Sequence, residues 1–265
     1  ISDVLPNGLL GVALEIEMAV LPAYHLEERI ERRPLEEALE RFPEWAASHR
    51  HAEFFVFPYA DVVMMKTLHP AEPEGTWKEP GPPEETVWRL CCELAAAAPG
   101  FIPTLQKLLT RGLGKSRRIG PAHRVFPSER NIRFEEMEYE LPREAGLATL
   151  KAAIDFIRSR ELPVAFPFEF RWTAGDDIWI SPFHAGPGAS ISFHQYAGMP
   201  WRELFDTVEP VFREAGGRPH WGKRHTLDRA EVDGLYPEAE RFRAVRRAHD
   251  PEGRYLNGHL EPLFG

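Results

Sequence analysis

Residues 134–173 carry the pattern that decides the fold. They begin with Phe134-Glu-Glu-Met-Glu-Tyr-Glu-Leu-Pro142, in which polar and apolar side chains alternate before the closing proline. A period of two is typical of a half-buried β-strand. The next segment, Arg143–Glu161, has an apolar stripe at helical spacing, formed by Leu147, Leu150, Ala153, Ile154 and Ile157. Val164–Thr173 follows Pro163 as a second predicted strand, so the unit is strand–helix–strand.

The flanking segments predict further strands and helices. Strands are predicted over Val12–Val20, His51–Tyr59, Asp61–Leu68 and Ser190–Tyr196. Helices are predicted over Leu35–Trp45, Thr86–Leu109 (broken near Pro99-Gly100), Trp201–Ala215 and Pro237–His249. Ala71–Pro83 is predicted to be a surface loop, and Lys115–Arg133 to be basic and irregular. This order favours an α+β fold with a largely antiparallel sheet covered by helices on one face.

The composition excludes several classes of function. The chain has 265 residues with a net charge of −9, which argues against a nucleic acid as its main partner. Cys91 and Cys92 are neighbours on a predicted helix, so we expect two small buried side chains rather than a disulfide. The eleven histidines show no metal-ligand spacing, and we expect no metal.

No apolar run approaches the roughly 20 residues that a membrane-spanning helix needs. Leu9–Val20 comes closest, but Glu15 and Glu17 interrupt it. No signal peptide is visible in a chain that begins at Ile1, and a cytoplasmic location is the expectation.

Glu169 and Arg171 are the first candidate site residues. They lie two apart on a predicted strand and so share one face, while Phe168, Phe170 and Trp172 share the other. A solvent-exposed ion pair explains the pattern as well as a ligand pocket does. In a pocket, the guanidinium would donate and the carboxylate would accept hydrogen bonds, a mixture that suits a sugar or polyol.

The second candidate is Pro219-His-Trp-Gly-Lys223, which follows the predicted glycine cap Gly216-Gly217. It is either a surface loop anchored by Trp221 or a site in which Lys223 stabilises developing negative charge. His194, on another predicted strand, has a structural role as the alternative to a pocket role. Dinucleotide, Walker and nucleophile-elbow motifs are absent.

Four stretches together resemble the aldonolactone oxidases. They are Phe134–Glu144, Glu169-Phe-Arg171, Pro219–Lys223 and Arg254-Tyr-Leu-Asn-Gly-His-Leu260, in the order and approximate spacing of that family. The family includes D-arabinono-1,4-lactone oxidase, L-gulono-1,4-lactone oxidase or dehydrogenase, and alditol oxidase, within the vanillyl-alcohol-oxidase superfamily. Gly8–Glu17 is similar to the last strand of the family's flavin-binding domain.

This resemblance implies a division of the chain and a cofactor, FAD. Residues 1–22 would end the FAD-binding domain, 23–225 would form the substrate (cap) domain, and 226–265 would return to the FAD-binding domain. The N-terminal half of the FAD domain is absent from this chain. That segment, from the same gene product or a separate chain, would therefore be a partner.

The resemblance also implies roles for single residues. Glu169 and Arg171 match the substrate-pocket pair, and His194 falls near a further pocket position. Lys223 matches a lysine near flavin N1, with His220 beside it. Asn257 lies in the segment that packs on the flavin domain, although the following Gly258-His259 departs from the usual pattern.

The implied activity is FAD-dependent oxidation of a CH–OH group in a sugar-1,4-lactone or alditol, with hydride passing to flavin N5. Glu169, Arg171 and Lys223 would be its catalytic residues. A non-catalytic sugar- or protein-binding module, and an oxidase of the same superfamily for a different alcohol, are the alternatives.

Overall fold

The computed structural model describes residues 8–74, 83–112, 114–127, 131–184 and 186–265, without the side chains of 83–85. The strands are β1 (His25–Pro34), β2 (His51–Val56), β3 (Val62–Ala71), β4 (Ser116–Pro121), β5 (Phe134–Pro142), β6 (Phe168–Thr173), β7 (Gly188–Tyr196) and β8 (Arg218–Pro219). The helices are α1 (Leu35–Ser48), α2 (Pro83–Ala97), α3 (Ile102–Gly112), α4 (Ala122–Val125), α5 (Arg143–Ser159), α6 (Arg202–Glu214), α7 (Arg229–Leu235), α8 (Ala239–His249) and α9 (Glu261–Phe264).

Within these residues, eight strands form one sheet in the order β4-β1-β3-β2-β6-β7-β5-β8. Every strand pair is antiparallel, which confirms the predicted fold class. The sheet has two four-stranded halves, one from residues 25–121 and one from residues 134–219. They meet where β2 pairs with β6, and we call this pairing the seam.

One face of the sheet is apolar and is covered by α1, α5 and α6. Phe42 of α1 lies against Phe54, Phe170 and Trp172, with ring centroids 5.1 to 5.4 Å apart. Helix α5 approaches the sheet so closely that a Cβ on Gly146 would lie 2.2 Å from the Cβ of Ala189. Only glycine fits there, and its contact fixes α5 against β7.

The central unit is confirmed as β5, α5 and β6, although α5 ends at Ser159 and β6 begins only at Phe168. The predicted hairpin is β2 and β3. The predicted helix break is a 3₁₀ turn at Pro99–Phe101. Cys91 and Cys92 are free thiols in α2; Cys92 is buried as expected, whereas Cys91 is only half-buried.

The strand predicted over Val12–Val20 is wrong. This stretch has no regular structure, and Val12, Leu14 and Val20 are 70%, 95% and 84% exposed. Alternation provides an apolar face, but a strand also needs a neighbouring strand to pair with its N–H and C=O groups. None of the strands described pairs with this stretch.

Strands β1 and β4 were missed because both are densely charged. They pair with each other, and their charges compensate: Arg117 binds Glu27, and Arg118 holds Glu28 through Nε at 2.6 Å. The prediction of an irregular Lys115–Arg133 is thus wrong over β4. The loop predicted over Ala71–Pro83 lies largely outside the described residues.

A second apolar cluster joins the chain's two ends. Leu9 is buried among residues of α7, α8 and α9, together with Ile180 and Leu260. Helix α7 was missed, although Asp228 and Glu231 form a capping box that its sequence signals. In the parts of the chain described, no helix has the length and apolarity to cross a membrane.

Candidate functional site

The second face of the sheet is polar where β6, β7 and β5 lie side by side. Strand register aligns two rows of three side chains across them, which we call the polar grid: Glu169–Ser192–Glu138 and Arg171–Ser190–Glu140. All but Arg171 are at most 5% exposed. The predicted facing of Glu169 and Arg171 is confirmed, since Phe168 and Phe170 lie in the apolar core.

Arg171 connects the two outer strands of the grid. Its guanidinium binds Glu169 on its own strand and reaches Glu138 Oε1 on β5 at 2.5 Å. The Arg171 side chain can cross β7 because that strand carries only the small side chains of Ser190 and Ser192 at these positions. Arg171 remains 37% exposed, so a ligand could also contact the guanidinium.

Glu140 lies at the other end of the grid, 3% exposed. It accepts a hydrogen bond from Ser190 Oγ, and Glu138 lies two residues before it on the same face of β5. Burial, reinforced by the charge of Glu138, raises the pKa of the Glu140 carboxyl well above its usual range. The grid therefore contains one carboxyl group that favours its neutral form.

Beside the grid, Glu136 joins His194 to Lys223. The Lys223 ammonium binds Glu136, and His194 Nε2 lies 3.2 Å from Glu136 Oε1. His194 Nδ1 is 3.1 Å from the carbonyl oxygen of Pro167. Burial opposes ionisation of Glu136, but His194 and Lys223 outweigh it and lower its pKa to about 2. His194 therefore lies next to the grid, and its ring is held between Glu136 and the Pro167 carbonyl.

The Pro219–Lys223 segment is a short strand followed by a turn. The N–H of His220 donates to the carbonyl of Glu138 at 2.9 Å, which ties the turn to β5. Trp221 anchors it from the other side, with Nε1 donating to the Ile180 carbonyl at 2.7 Å. The His220 ring is exposed, and its Nδ1 accepts from the Gly222 N–H at 3.1 Å. Lys223 thus projects from a fixed turn.

Asn257 lies in a separate place, the C-terminal turn. Its Oδ1 accepts hydrogen bonds from the N–H groups of His259 and Leu260, and both bonds stay within that turn. A cavity of about 530 Å³ adjoins it, lined in part by His225 and His259. Their rings are 4.8 Å apart, and burial, with the charge of His259, lowers the pKa of His225 to about 4.

Three acids of the site, Glu136, Glu138 and Glu140, were missed as site residues. Their signal was present, because alternation along β5 places all three on one face. Ser190 and Ser192 alternate in the same way on β7. What no single strand shows is the register that brings Glu138 beside Arg171, 33 positions away in the chain. Among the described residues, no three His, Cys, Asp or Glu side chains are grouped to hold a metal ion.

A family described as D-arabinono-1,4-lactone oxidase matches residues 16–263. L-gulono-1,4-lactone dehydrogenase of Mycobacterium tuberculosis (strain ATCC 25618 / H37Rv) is 37% identical over 264 residues, covering 97% of this chain and 62% of that protein. L-gulonolactone oxidase of Bos taurus is 26% identical over 270 residues, covering 97% of this chain and 61% of that protein. The chain thus spans less than two thirds of the length of these relatives.

Among solved structures, cholesterol oxidase from B. sterolicum is similar, with a TM-score of 0.72 at 17% identity. The match covers 92% of this chain and 60% of that one. At this identity the likeness shows the fold alone. It agrees with the expected α+β fold built on a largely antiparallel sheet.

Proposed function

Because the chain belongs to the D-arabinono-1,4-lactone oxidase family, we propose that it is the substrate-binding part of an FAD-dependent oxidoreductase. The substrate would be a sugar-1,4-lactone or an alditol, oxidised at a CH–OH group. The observation that carries the proposal is the polar grid: a partly exposed guanidinium held between two carboxylates, with an ammonium group on the adjoining turn.

The grid suits a polyhydroxylated substrate. Each hydroxyl both donates and accepts, so it needs acceptors and donors close together. Glu169 supplies acceptor oxygens, and Arg171 supplies a rigid fork of donors. In the proposal these two side chains hold and polarise the reacting hydroxyl, one of them or a nearby group assists loss of its proton, and His194 lines the pocket.

The position of Lys223 would suit the N1 side of a flavin ring. Its side chain is 29% exposed on an anchored turn, so its ammonium can face a second group while keeping Glu136. FAD, when bound, would supply at N5 the acceptor for the hydride that leaves the substrate carbon. Lys223 would stabilise negative charge near flavin N1, with His220 beside it and Asn257 contributing from the C-terminal turn.

We propose the same domain division that the resemblance implies. Residues 23–225 would be the substrate domain, and all eight described strands, from His25 to Pro219, lie within it. Residues 1–22 and 226–265 would belong to the FAD-binding domain. Burial of Leu9 in the C-terminal cluster supports this grouping. The partner is then an N-terminal FAD-domain segment, which would cover the exposed apolar side chains of Val12–Val20.

The activity can be tested on the full-length gene product. We expect a yellow protein whose flavin absorbance bleaches anaerobically with lactones or alditols from a substrate panel. A colourless protein without upstream FAD-domain sequence would instead favour a sugar- or protein-binding module. If only other alcohols bleach the flavin, the protein is an oxidoreductase for a different class of alcohol.

Lys223→Ala should slow flavin reduction by roughly 100-fold or more, since it removes a charge aimed at developing negative charge. Stopped-flow reduction at saturating substrate measures this. Lys151→Ala is the matched control, because Lys151 is a surface lysine paired with Asp155 on α5. Equal reduction rates in the two variants would remove Lys223 from the mechanism.

A further inference from the structure

We propose that Glu53 and Lys66 form a second substrate subsite, which binds the hydroxylated tail of a sugar lactone or alditol. Phe55 would pack against the C–H groups of that tail. The inference rests on the proposed function for the oxidation itself, whereas binding at the subsite can be measured without turnover.

One row of the polar grid continues across the seam. Glu53 on β2 lies opposite Arg171, and Lys66 on β3 lies opposite Glu53. Directly opposed residues of antiparallel strands point to the same face, so these three side chains share the polar face. The Lys66 ammonium is 2.9 Å from Glu53 Oε1. This ion pair begins one strand spacing, about 4.8 Å, beyond Arg171.

Both groups of this ion pair are accessible to a ligand. The side chains of Lys66 and Glu53 are 18% and 20% exposed. Glu28 lies 3.8 Å from the same ammonium and is nearly inaccessible, and Arg118 binds Glu28 in turn. The ammonium is thus held from behind by a buried carboxylate. Its outward donors and the Glu53 oxygens can meet hydroxyl groups, which both accept and donate.

The second row of the grid adds an apolar surface beside the ion pair. Phe55 lies opposite Glu169 across the seam, and Met64 lies opposite Phe55. Both side chains are partly exposed, unlike Phe54 and Val56, which lie in the apolar core. A sugar presents C–H groups as well as hydroxyls, so an aromatic side chain next to charged groups suits its mixed surface.

Helix α4 and the residue after it close the far end of the subsite. Val125 of α4 packs on Leu68, the next residue of β3 on this face. Phe126 lies edge-on against His51, with ring centroids 4.8 Å apart. The face beyond Lys66 is therefore covered, which limits the subsite to a short tail.

The subsite lies on the opposite side of Arg171 from Lys223. Lys223 binds Glu136 on β5, which is separated from β6 by β7. Glu53 is on β2, the other neighbour of β6. A substrate whose reacting hydroxyl is held by Arg171 would therefore direct its tail towards Glu53, away from the proposed flavin side.

The test compares two substrates in the full-length flavoprotein. A six-carbon sugar-1,4-lactone carries a hydroxylated tail outside its ring, whereas a four-carbon sugar-1,4-lactone carries none. Lys66→Met should lower the ratio of kcat/KM for the six-carbon lactone to that for the four-carbon lactone by about tenfold, because charged hydrogen-bond donors are lost. Lys115→Met is the control, since Lys115 is 73% exposed before β4, and should leave the ratio unchanged.

Glu53→Gln, which preserves the shape of the side chain, should lower the same ratio and decides the matter if Lys66→Met does not fold. An unchanged ratio in the folded variants, including an equal loss for both lactones, would overturn the subsite.

Calorimetric titration of the dithionite-reduced protein with the six-carbon lactone measures binding without oxidation. Lys66→Met should raise the Kd about tenfold relative to Lys115→Met. An equal Kd in the two variants would contradict the subsite even in a protein that oxidises lactones. A wild-type protein that binds the lactone with the expected dependence on Lys66, but oxidises neither lactones nor alditols, would refute the proposed function and leave the subsite standing.

Discussion

Val12–Val20 and Phe134–Pro142 have the same alternating pattern but opposite structural outcomes. The first is irregular and exposed. The second is β5, paired with β7 on one edge and β8 on the other. Alternation therefore specifies which side chains would share a face, whereas neighbouring strands decide whether the strand forms.

Strand β5 differs from Val12–Val20 in a second way, because it is buried on both faces. Met137 and Tyr139 are in the apolar core, and Glu138 and Glu140 on the other face are equally inaccessible. Apolar packing stabilises one side, while an ion pair with Arg171 and a hydrogen bond from Ser190 compensate charge on the other. Three substitutions, taken in order of decreasing effect, test this contrast.

Tyr139→Ala should have the largest effect, a loss of about 4 kcal/mol in the free energy of unfolding. The ring is buried and stacks on Phe212 at a centroid distance of 5.7 Å, and its hydroxyl donates to Glu209. Urea denaturation measures the loss. Tyr255→Ala, at a 42% exposed position, is the control and should cost little. Similar costs for the two variants would mean that β5 is not central to the core.

Glu136 should produce a smaller, pH-dependent effect on the polar face. Its pKa falls from 4.5 to about 2 on folding, so its stabilisation is present above about pH 4.5 and is lost as pH falls towards 2. Allowing for solvent screening, the contribution is on the order of 2 kcal/mol. Glu136→Gln should therefore flatten the acid limb of a stability–pH curve. A variant that keeps the wild-type acid limb would exclude Glu136 as its origin.

Leu14→Asn should have the smallest effect in the 265-residue chain, within about 0.5 kcal/mol, because Leu14 is 95% exposed. In a longer product that carries the N-terminal flavin-domain segment, the proposed division expects a clear destabilisation. Thermal unfolding of both proteins makes the comparison, with Glu15→Gln as the neighbouring control. Equal, negligible shifts in both would argue against burial of Val12–Val20 in that domain.

Much of the fold could be predicted from local patterns. The apolar stripe of α5 and the alternation in β5 are strong because each segment buries a continuous face. Strands β1 and β4 could not be found in this way, since Glu27 and Glu28 are stabilised by Arg117 and Arg118 about 90 positions away. Charge compensation between distant strands leaves no local periodic signal.

The candidate site was predictable to a similar degree. Glu169 and Arg171 follow from their spacing and from the resemblance, and so does Lys223. Glu138 and Glu140 can be placed in the site only from the register of β6, β7 and β5, because β7 lies between the other two strands. The roles of Ser190 and Ser192 on β7 could not be predicted for the same reason, because a small polar residue is informative only once its neighbours are known.

The seam between β2 and β6 has a consequence for how the chain folds. The hairpins β2–β3 and β6–β7 join strands that are near in sequence, so each can pair early at a low cost in loop-closure entropy. The seam instead joins Glu53 to Arg171, more than a hundred positions apart. Such a pairing raises the contact order and slows folding, so we expect the two hairpins to form before the seam joins them. Arg171 lies on that boundary, and the guanidinium would reach its final surroundings only in the last step of folding.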